Sequence, residues 1–332
     1  MKKDENLKNM LAQLDTYRDY ISTQISSTQF PSNPHNLYEP AKYILELGGK
    51  RMRPILSMMA CELFSGEFEK ATNVAMGVEI FHNFTLIHDD IMDEAPLRRG
   101  KETVHKKWNS NVGLLSGDIL MIESYKRLAT ARPEILPEIL KLYNITAIEV
   151  CEGQQMDMDF EESDSVSIDE YVRMIRLKTA VLLGCSLKLG AIVGGAAHKD
   201  SNDLYNFGTN LGIAFQLQDD ILDVYADQNK FGKQVGGDII ANKKTYLLLT
   251  ALATANVSQK ARLEALFTEK DLVKKVKEVK EIYAELNIRE KAEEQMNVFY
   301  KTAMQNLDAI NATEEKKMPL RAIAMYLMGR ES

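Results

Sequence analysis

Along most of this 332-residue chain, apolar positions recur with the three-and-four spacing of a helical face. Leu272, Val276, Val279, Tyr283 and Leu286 step by four, three, four and three, which lines one side of a helix. Ala292, Met296, Phe299 and Ala303 repeat the pattern on the next segment. The same reading predicts helices over 5–27, 38–47, 52–64, 70–93, 111–130, 134–158, 168–197, 201–225 and 241–254. Proline placement agrees. All eight prolines lie at 31, 34, 40, 54, 96, 133, 137 and 319. The 138–318 stretch therefore lacks the residue that breaks helix interiors. Asn-Gly and Asp-Gly, the strongest hairpin signals, never occur. The pattern has no linker, no solenoid repeat and no low-complexity block. It predicts one all-α domain over 1–332.

Composition narrows the classes. Apolar residues make up 45% and charged residues 27%, which excludes a disordered or fibrous chain. The net charge of −7 argues against a general nucleic-acid binder. Cys61, Cys151 and Cys185 are odd in number and far apart, with neither disulfide-framework nor zinc spacing, so a reducing, cytoplasmic setting is expected. The opening residues Met1-Lys2-Lys3-Asp4-Glu5-Asn6 form no apolar run, and no signal peptide is expected. The most apolar stretch, Thr179 to Ala197, barely reaches spanning length and holds Lys188 in its middle. It is read as a buried core helix, with no membrane span.

Two segments carry the chemistry. Leu86-Ile87-His88-Asp89-Asp90-Ile91-Met92-Asp93 and Phe215-Gln216-Leu217-Gln218-Asp219-Asp220-Ile221-Leu222-Asp223 each hold Asp-Asp-x-x-Asp among apolar neighbours. With 20 aspartates in 332 positions, chance gives roughly 0.07 such motifs, so a pair is no accident. Residues i and i+4 share a helix face, which aligns Asp89 with Asp93 and Asp219 with Asp223. Paired carboxylates repel, and a cation must compensate. Hard oxygen donors without His or Cys favour magnesium, which keeps waters and fills its shell with phosphate oxygens.

Basic residues complement the acids. Gly48-Gly49-Lys50-Arg51-Met52-Arg53-Pro54 opens a helix, where backbone N–H groups and cationic side chains suit an anion. Leu97-Arg98-Arg99-Gly100 follows the first acidic motif, and Lys178, Lys233 and Lys243 lie further on. Each alone reads as a surface charge. Together with two magnesium-grade carboxylate clusters they suggest a polyphosphate held between metals and cations.

These elements resemble the trans-isoprenyl diphosphate synthases, the polyprenyl synthetase family. The matching pieces are GGKRMRP at 48–54, HDDIMDEAPLRRG at 88–100, SGD at 116–118, EGQ at 152–154, KT at 178–179, FQLQDDILD at 215–223, GK at 232–233 and GGDIIANKKT at 236–245. The resemblance implies an all-helical, homodimeric enzyme of the isoprenoid synthase type with a central active-site cavity. It implies that Asp89, Asp93 and Asp219 are the principal ligands of three magnesium ions, with Asp90, Asp220 and Asp223 in support. Arg98, Lys178, Lys233 and Lys243 would contact the diphosphate of an allylic substrate. Lys50, Arg53, His82 and Arg99 would hold isopentenyl diphosphate. Thr179 and Gln216 would face the allylic cation. His88, beside Asp89, is read as a packing or supporting group rather than a base.

Product length is expected to depend on the pocket below the metals. Phe84 lies five residues before Asp89, about 7–8 Å along the helix. A ring there can act as a floor, with Thr85 beside it and Phe81 a turn deeper. One aromatic at that position, a small residue after it and no insertion in DDIMD resemble geranylgeranyl diphosphate synthases of the archaeal type. Farnesyl diphosphate synthases, longer-chain synthases and a non-catalytic partner subunit are the alternatives. A terpene cyclase needs no second diphosphate site, which GGKRMRP and Arg99 would supply. A di-iron bundle built on Glu79-x-x-His82 and Glu102-x-x-His105 leaves the aspartates unexplained.

Overall fold

The structure is a computed structural model that describes residues 2–163, 165–226 and 236–329, with side chains from residue 13 onward. Helices dominate. They are α1 Lys2–Ser26, α2 His35–Glu46, α3 Met52–Ser65, α4 Thr72–Met92, the short α5 Val104–Lys107, α6 Ser110–Leu128 and α7 Leu136–Glu162. There follow α8 Ile168–Ile175, α9 Val181–Gly194, α10 His198–Tyr225, the short α11 Gly237–Ile240, α12 Tyr246–Thr254, α13 Val257–Leu266, α14 Leu272–Glu285, α15 Ile288–Asp308 and α16 Glu314–Met328. Arg176–Ala180 forms a π-helical turn between α8 and α9.

Most predicted helices match these spans within a few residues. The segment predicted over 241–254 starts only at Tyr246, because Asn242 takes a left-handed φ of 53° and ends the preceding turn. One strand pair also departs from the all-helical reading. Leu97–Arg98 and Lys101–Glu102 form an antiparallel hairpin. Its two-residue loop, Arg99 and Gly100, has φ of 54° and 74°, as a type I′ turn requires. Arg-Gly does here what Asn-Gly usually does.

The backbone divides into two compact units. One runs through Asn144 and takes in Cys185–Tyr205 and Ile310–Ala322. The other comprises Ile145–Gly184, Asn206–Ala309 and the residues from Ile323. Four of the five boundaries fall inside α7, α9, α10 and α16, and the fifth follows α15.

In the first unit α4 is buried along nearly its whole length, including Val78, Ile80, Phe81 and Ile87. Glycines set the close approaches. A Cβ on Gly190 would fall 1.9 Å from the Ser57 carbonyl oxygen, and one on Gly194 2.7 Å from that of Cys61. The small residues of the apolar 179–197 run thus let α9 lie against α3, and Ser57 Oγ donates to the Ser186 carbonyl at 2.8 Å. The helix Ile168–Gly194 is long and apolar enough to cross a membrane, but 72% of its most apolar window is buried in the fold. Its Lys188 donates to Asn202 Oδ1.

The second unit packs around Tyr171, Ile175, Leu217, Ile221, Leu247, Leu263, Ile282 and Ala292. Helices from the C-terminal third supply much of this core. The periodicity of 272–303 is therefore packing, with α14 burying Val279, Ile282 and Tyr283.

Candidate active site

The first acidic motif closes α4. Asp93 caps the helix and its N–H donates to the Asp89 carbonyl at 2.8 Å, which places the two side chains one turn apart. Asp89 is partly buried and Asp93 exposed. Asp90 turns the other way. It is 1% exposed and receives Arg98 Nε at 2.8 Å and Nη2 at 2.7 Å. This bidentate pair sets the Asp90 carboxylate against the Arg98 guanidinium, so the two predicted site residues are each other's partners.

The basic turn before α3 is built on left-handed backbone. Gly48, Gly49 and Arg51 have φ of 75°, 131° and 50°. Glycine is required at 49 for a second reason: a Cβ there would sit 2.8 Å from the Arg99 guanidinium. Arg99 donates from Nη1 to the Gly48 carbonyl. Arg51 is buried, with Nη1 on Glu79 Oε1 at 2.6 Å and Nη2 on the Leu45 carbonyl at 2.5 Å. Glu79 is thereby occupied, and the di-iron reading loses its first carboxylate. Arg53 Nη1 lies 3.1 Å from His82 Nε2. Burial and the charges of Arg53, Arg99, Arg98 and Arg51 hold His82 well below the usual histidine range, so its ring is neutral and Nε2 accepts. Arg53 Nε is buried without a protein partner. Lys50 is exposed.

His88 reaches across to α6. Its Nε2 lies 3.1 Å from the Leu114 carbonyl and 3.8 Å from Asp118 Oδ1, and its ring meets Phe84 edge-on with centroids 4.7 Å apart. A Cβ on Gly117 would fall 2.3 Å from that Nε2, which gives the SGD element a physical role. Phe84 packs on Phe81 with centroids at 5.4 Å, and Phe81 on Tyr143 at 5.3 Å. Thr85 Oγ1 donates to the His82 carbonyl at 2.8 Å.

The second motif lies in the last two turns of α10, wholly within the helix. Asp219 and Asp223 are partly buried, whereas Asp220 is 4% exposed. Tyr171 donates its hydroxyl to Asp220 Oδ2 at 2.5 Å, and Gln216 Nε2 approaches Oδ1 at 3.4 Å. Burial, together with the Asp238 charge, pushes the Asp220 carboxyl up to about 7, against the lowering effect of the Tyr171 bond. Asp220, like Asp90, is thus turned into the protein, and Gln216 is directed to it. Asp223 faces α11: its Oδ2 accepts from the Asp238 N–H at 2.9 Å and its carbonyl from the Gly236 N–H at 2.7 Å.

Lys178 and Thr179 sit on the π-helical turn, a distortion found often at functional sites. Gly153 explains how it is accommodated. A Cβ there would fall 2.2 Å from the Lys178 nitrogen, so the EGQ element of α7 lets the turn come close. Lys178 Nζ pairs with Asp157 Oδ2 at 2.5 Å. Lys243 follows α11, its N–H bonded to the Asp238 carbonyl at 2.9 Å. Lys233 lies outside the described residues.

Asp157 and Tyr171 were missed in the sequence, and Glu79 was read only in the di-iron pattern; all three partner motif residues but sit on ordinary helical spacing. The glycines of SGD and EGQ were the available signal, since each stands mid-helix, where glycine needs a packing reason. The donor set suits magnesium. Among the described residues no three His, Cys, Asp or Glu side chains converge. Each motif instead offers carboxylates one turn apart, and an ion that keeps waters and takes phosphate oxygens can use two.

An all-helical scaffold with two Asp-Asp-x-x-Asp turns and a basic turn before α3 defines the class of trans-prenyltransferases. The chain belongs to the polyprenyl synthetase family, whose sequence model matches residues 34–286. It is similar to the geranylgeranyl pyrophosphate synthase of Geoglobus acetivorans, 35% identical over 94% of this chain and 96% of that protein. A crystal structure of a geranylgeranyl pyrophosphate synthase is 41% identical, with a TM-score of 0.88 over 98% of this chain and 99% of the other. The geranylgeranyl pyrophosphate synthetase of Pyrococcus horikoshii Ot3 aligns over the whole of both chains, with 33% identity and a TM-score of 0.89.

Proposed function

We propose that this enzyme condenses isopentenyl diphosphate with an allylic diphosphate to give all-trans geranylgeranyl diphosphate, and that residues 1–332 act as one catalytic domain. The observation that carries this reading is the presence of two intact carboxylate pairs together with the arginine-rich turn, a set that serves two diphosphates. Family membership and the printed names of the relatives above support the four-unit product.

Asp89, Asp93 and Asp219 would hold magnesium, three ions in all, which would supply positive charge to the departing diphosphate of the allylic substrate. Asp223 assists, while Asp90 and Asp220 hold Arg98 and Tyr171 in place. Lys178, Lys233, Lys243 and Arg98 bind the same diphosphate. Lys50, Arg53, His82 and Arg99 hold the diphosphate of isopentenyl diphosphate, where the neutral His82 ring and the free Arg53 Nε suit an anion. Thr179 and Gln216 present oxygen atoms to the developing cation. Water must be kept from that cation, which it would quench to an alcohol. The isopentenyl double bond attacks, and the proton lost from the new chain goes to the departed diphosphate. Phe84, backed by Phe81 and flanked by Thr85, stops growth. The working form is a cytoplasmic homodimer, for which the exposed Leu114, Leu115 and Ile122 of α6 offer an apolar face.

Incorporation of labelled isopentenyl diphosphate onto dimethylallyl, geranyl or farnesyl diphosphate tests the reading. Magnesium-dependent incorporation abolished by a chelator is expected. Turnover of an allylic diphosphate to a hydrocarbon or alcohol without incorporation would overturn it.

A further inference from the structure

Lys275 is a lysine that neither the motifs nor the mechanism above uses. It lies on α14 and is 3% exposed. Among the described residues it pairs with no carboxylate; its Nζ donates to the carbonyl of Ile240 at 3.0 Å. Enclosing an ammonium group is costly unless the position needs it, and an apolar side chain would pack there more cheaply.

The partner of Lys275 shows what it could do. Ile240 ends α11, the four-residue helix between the second acidic motif and Lys243. The near end of α11 is fixed by Asp223, through its carboxylate on the Asp238 N–H and its carbonyl on the Gly236 N–H. The far end is fixed by Lys275. Two further contacts hold the same turn against the C-terminal helices. Gly236, with φ 83°, lies so close to Val276 that a Cβ would come within 3.0 Å of it. Asn242 Nδ2 donates to the Phe267 carbonyl at 3.0 Å. Asp238, Lys243 and Lys275 line one cavity of about 20 Å3, with Val279 and Tyr283 at its wall.

We propose that Lys275 is a positioning residue for the allylic diphosphate site: its buried ammonium fixes the far end of α11 and so sets Asp223 and Lys243 for the substrate. The inference rests on the reading that the second motif and Lys243 serve that diphosphate. It gives the C-terminal third a part in the reaction beyond packing.

The test compares Lys275→Met, which keeps the shape and removes the donor, with Lys275→Gln, which restores a neutral donor. Val279→Ala, a core deletion on the same helix and cavity wall, reports simple loosening. KM for geranyl diphosphate, KM for isopentenyl diphosphate, kcat, the half-saturating magnesium concentration and Tm are measured for each. Lys275→Met is expected to raise the geranyl diphosphate KM and the magnesium requirement about tenfold, the size of one lost charged hydrogen bond. The isopentenyl diphosphate KM should stay within about twofold, and Lys275→Gln should recover most of the loss. An unchanged geranyl diphosphate KM in Lys275→Met overturns the proposal, as does a profile that matches Val279→Ala with both KM values and Tm moving together. Wild-type protein that incorporates no isopentenyl diphosphate overturns the underlying reading, and the proposal with it. The two failures are therefore distinct.

Discussion

The two acidic motifs share a spacing but not an electrostatic design. On α4 the middle aspartate, Asp90, meets a guanidinium, and its charge is balanced by Arg98. On α10 the middle aspartate, Asp220, meets a phenol, and burial raises its carboxyl to about 7. The last residues differ as well. Asp93 ends its helix and is exposed, whereas Asp223 sits within α10 and starts a second helix. A shared motif therefore fixes which carboxylates share a face. The residues behind them decide how much charge each motif presents and how rigidly.

The largest expected effect tests whether the motifs are equal in function. Asp89→Ala and Asp219→Ala should each lower kcat/KM for isopentenyl incorporation about 1000-fold or more. If either keeps a tenth of the activity, the two motifs do not share the work.

Gly153→Ala and Gly117→Ala sharpen the comparison. The first drives a methyl into the backbone of the Lys178 turn, which cannot move aside, and should lower kcat about 100-fold. The second meets only the His88 ring, which can rotate, and a loss of about tenfold is expected. Steady-state assays at saturating substrate separate them.

Stability should divide the middle aspartates. Asp90→Asn leaves Arg98 without its carboxylate, and since Arg98 is a quarter exposed the cost should be about 2 kcal/mol, below that of a fully buried pair. Asp220→Asn keeps a hydrogen-bonding partner for Tyr171 and should cost less than about 1 kcal/mol. Urea denaturation at pH 7 without magnesium checks both.

The pH dependence supplies the smallest and most specific difference. The Asp220 carboxyl is raised above its unfolded value of about 3.9. Its contribution to stability is therefore fully present below about pH 4 and is lost as pH rises to about 7. Asp220→Asn should flatten that decline. His82 runs the other way. Its folded value is depressed, so its contribution is present above about pH 6.5 and lost as pH falls. His82→Gln should reduce the loss on acidification, read from urea midpoints between pH 4 and 7.

Much of this was legible in the sequence. Helical spacing placed α4 and α10 and aligned Asp89 with Asp93, because a 3.6-residue period leaves little choice. The Arg99-Gly100 hairpin was not legible, since arginine at a positive φ is set by its bond to the Gly48 carbonyl and not by turn preference. The inward turn of Asp90 and Asp220 also escaped, because their partners Arg98 and Tyr171 lie eight and 49 residues away. A helical wheel records which face a residue occupies, but not what packs there. The π turn at Lys178 was hidden for a similar reason: the residue that leaves room for it, Gly153, stands on another helix.

Product length is the most direct test of the central claim. Wild-type protein and Phe84→Ala are incubated with magnesium, isopentenyl diphosphate and each allylic starter, and the chains are read by mass spectrometry after dephosphorylation. Wild type is expected to stop at geranylgeranyl diphosphate and Phe84→Ala to run longer, until Phe81 and Tyr143 block further growth. A wild-type product of three units, or the same product from both proteins, would contradict it.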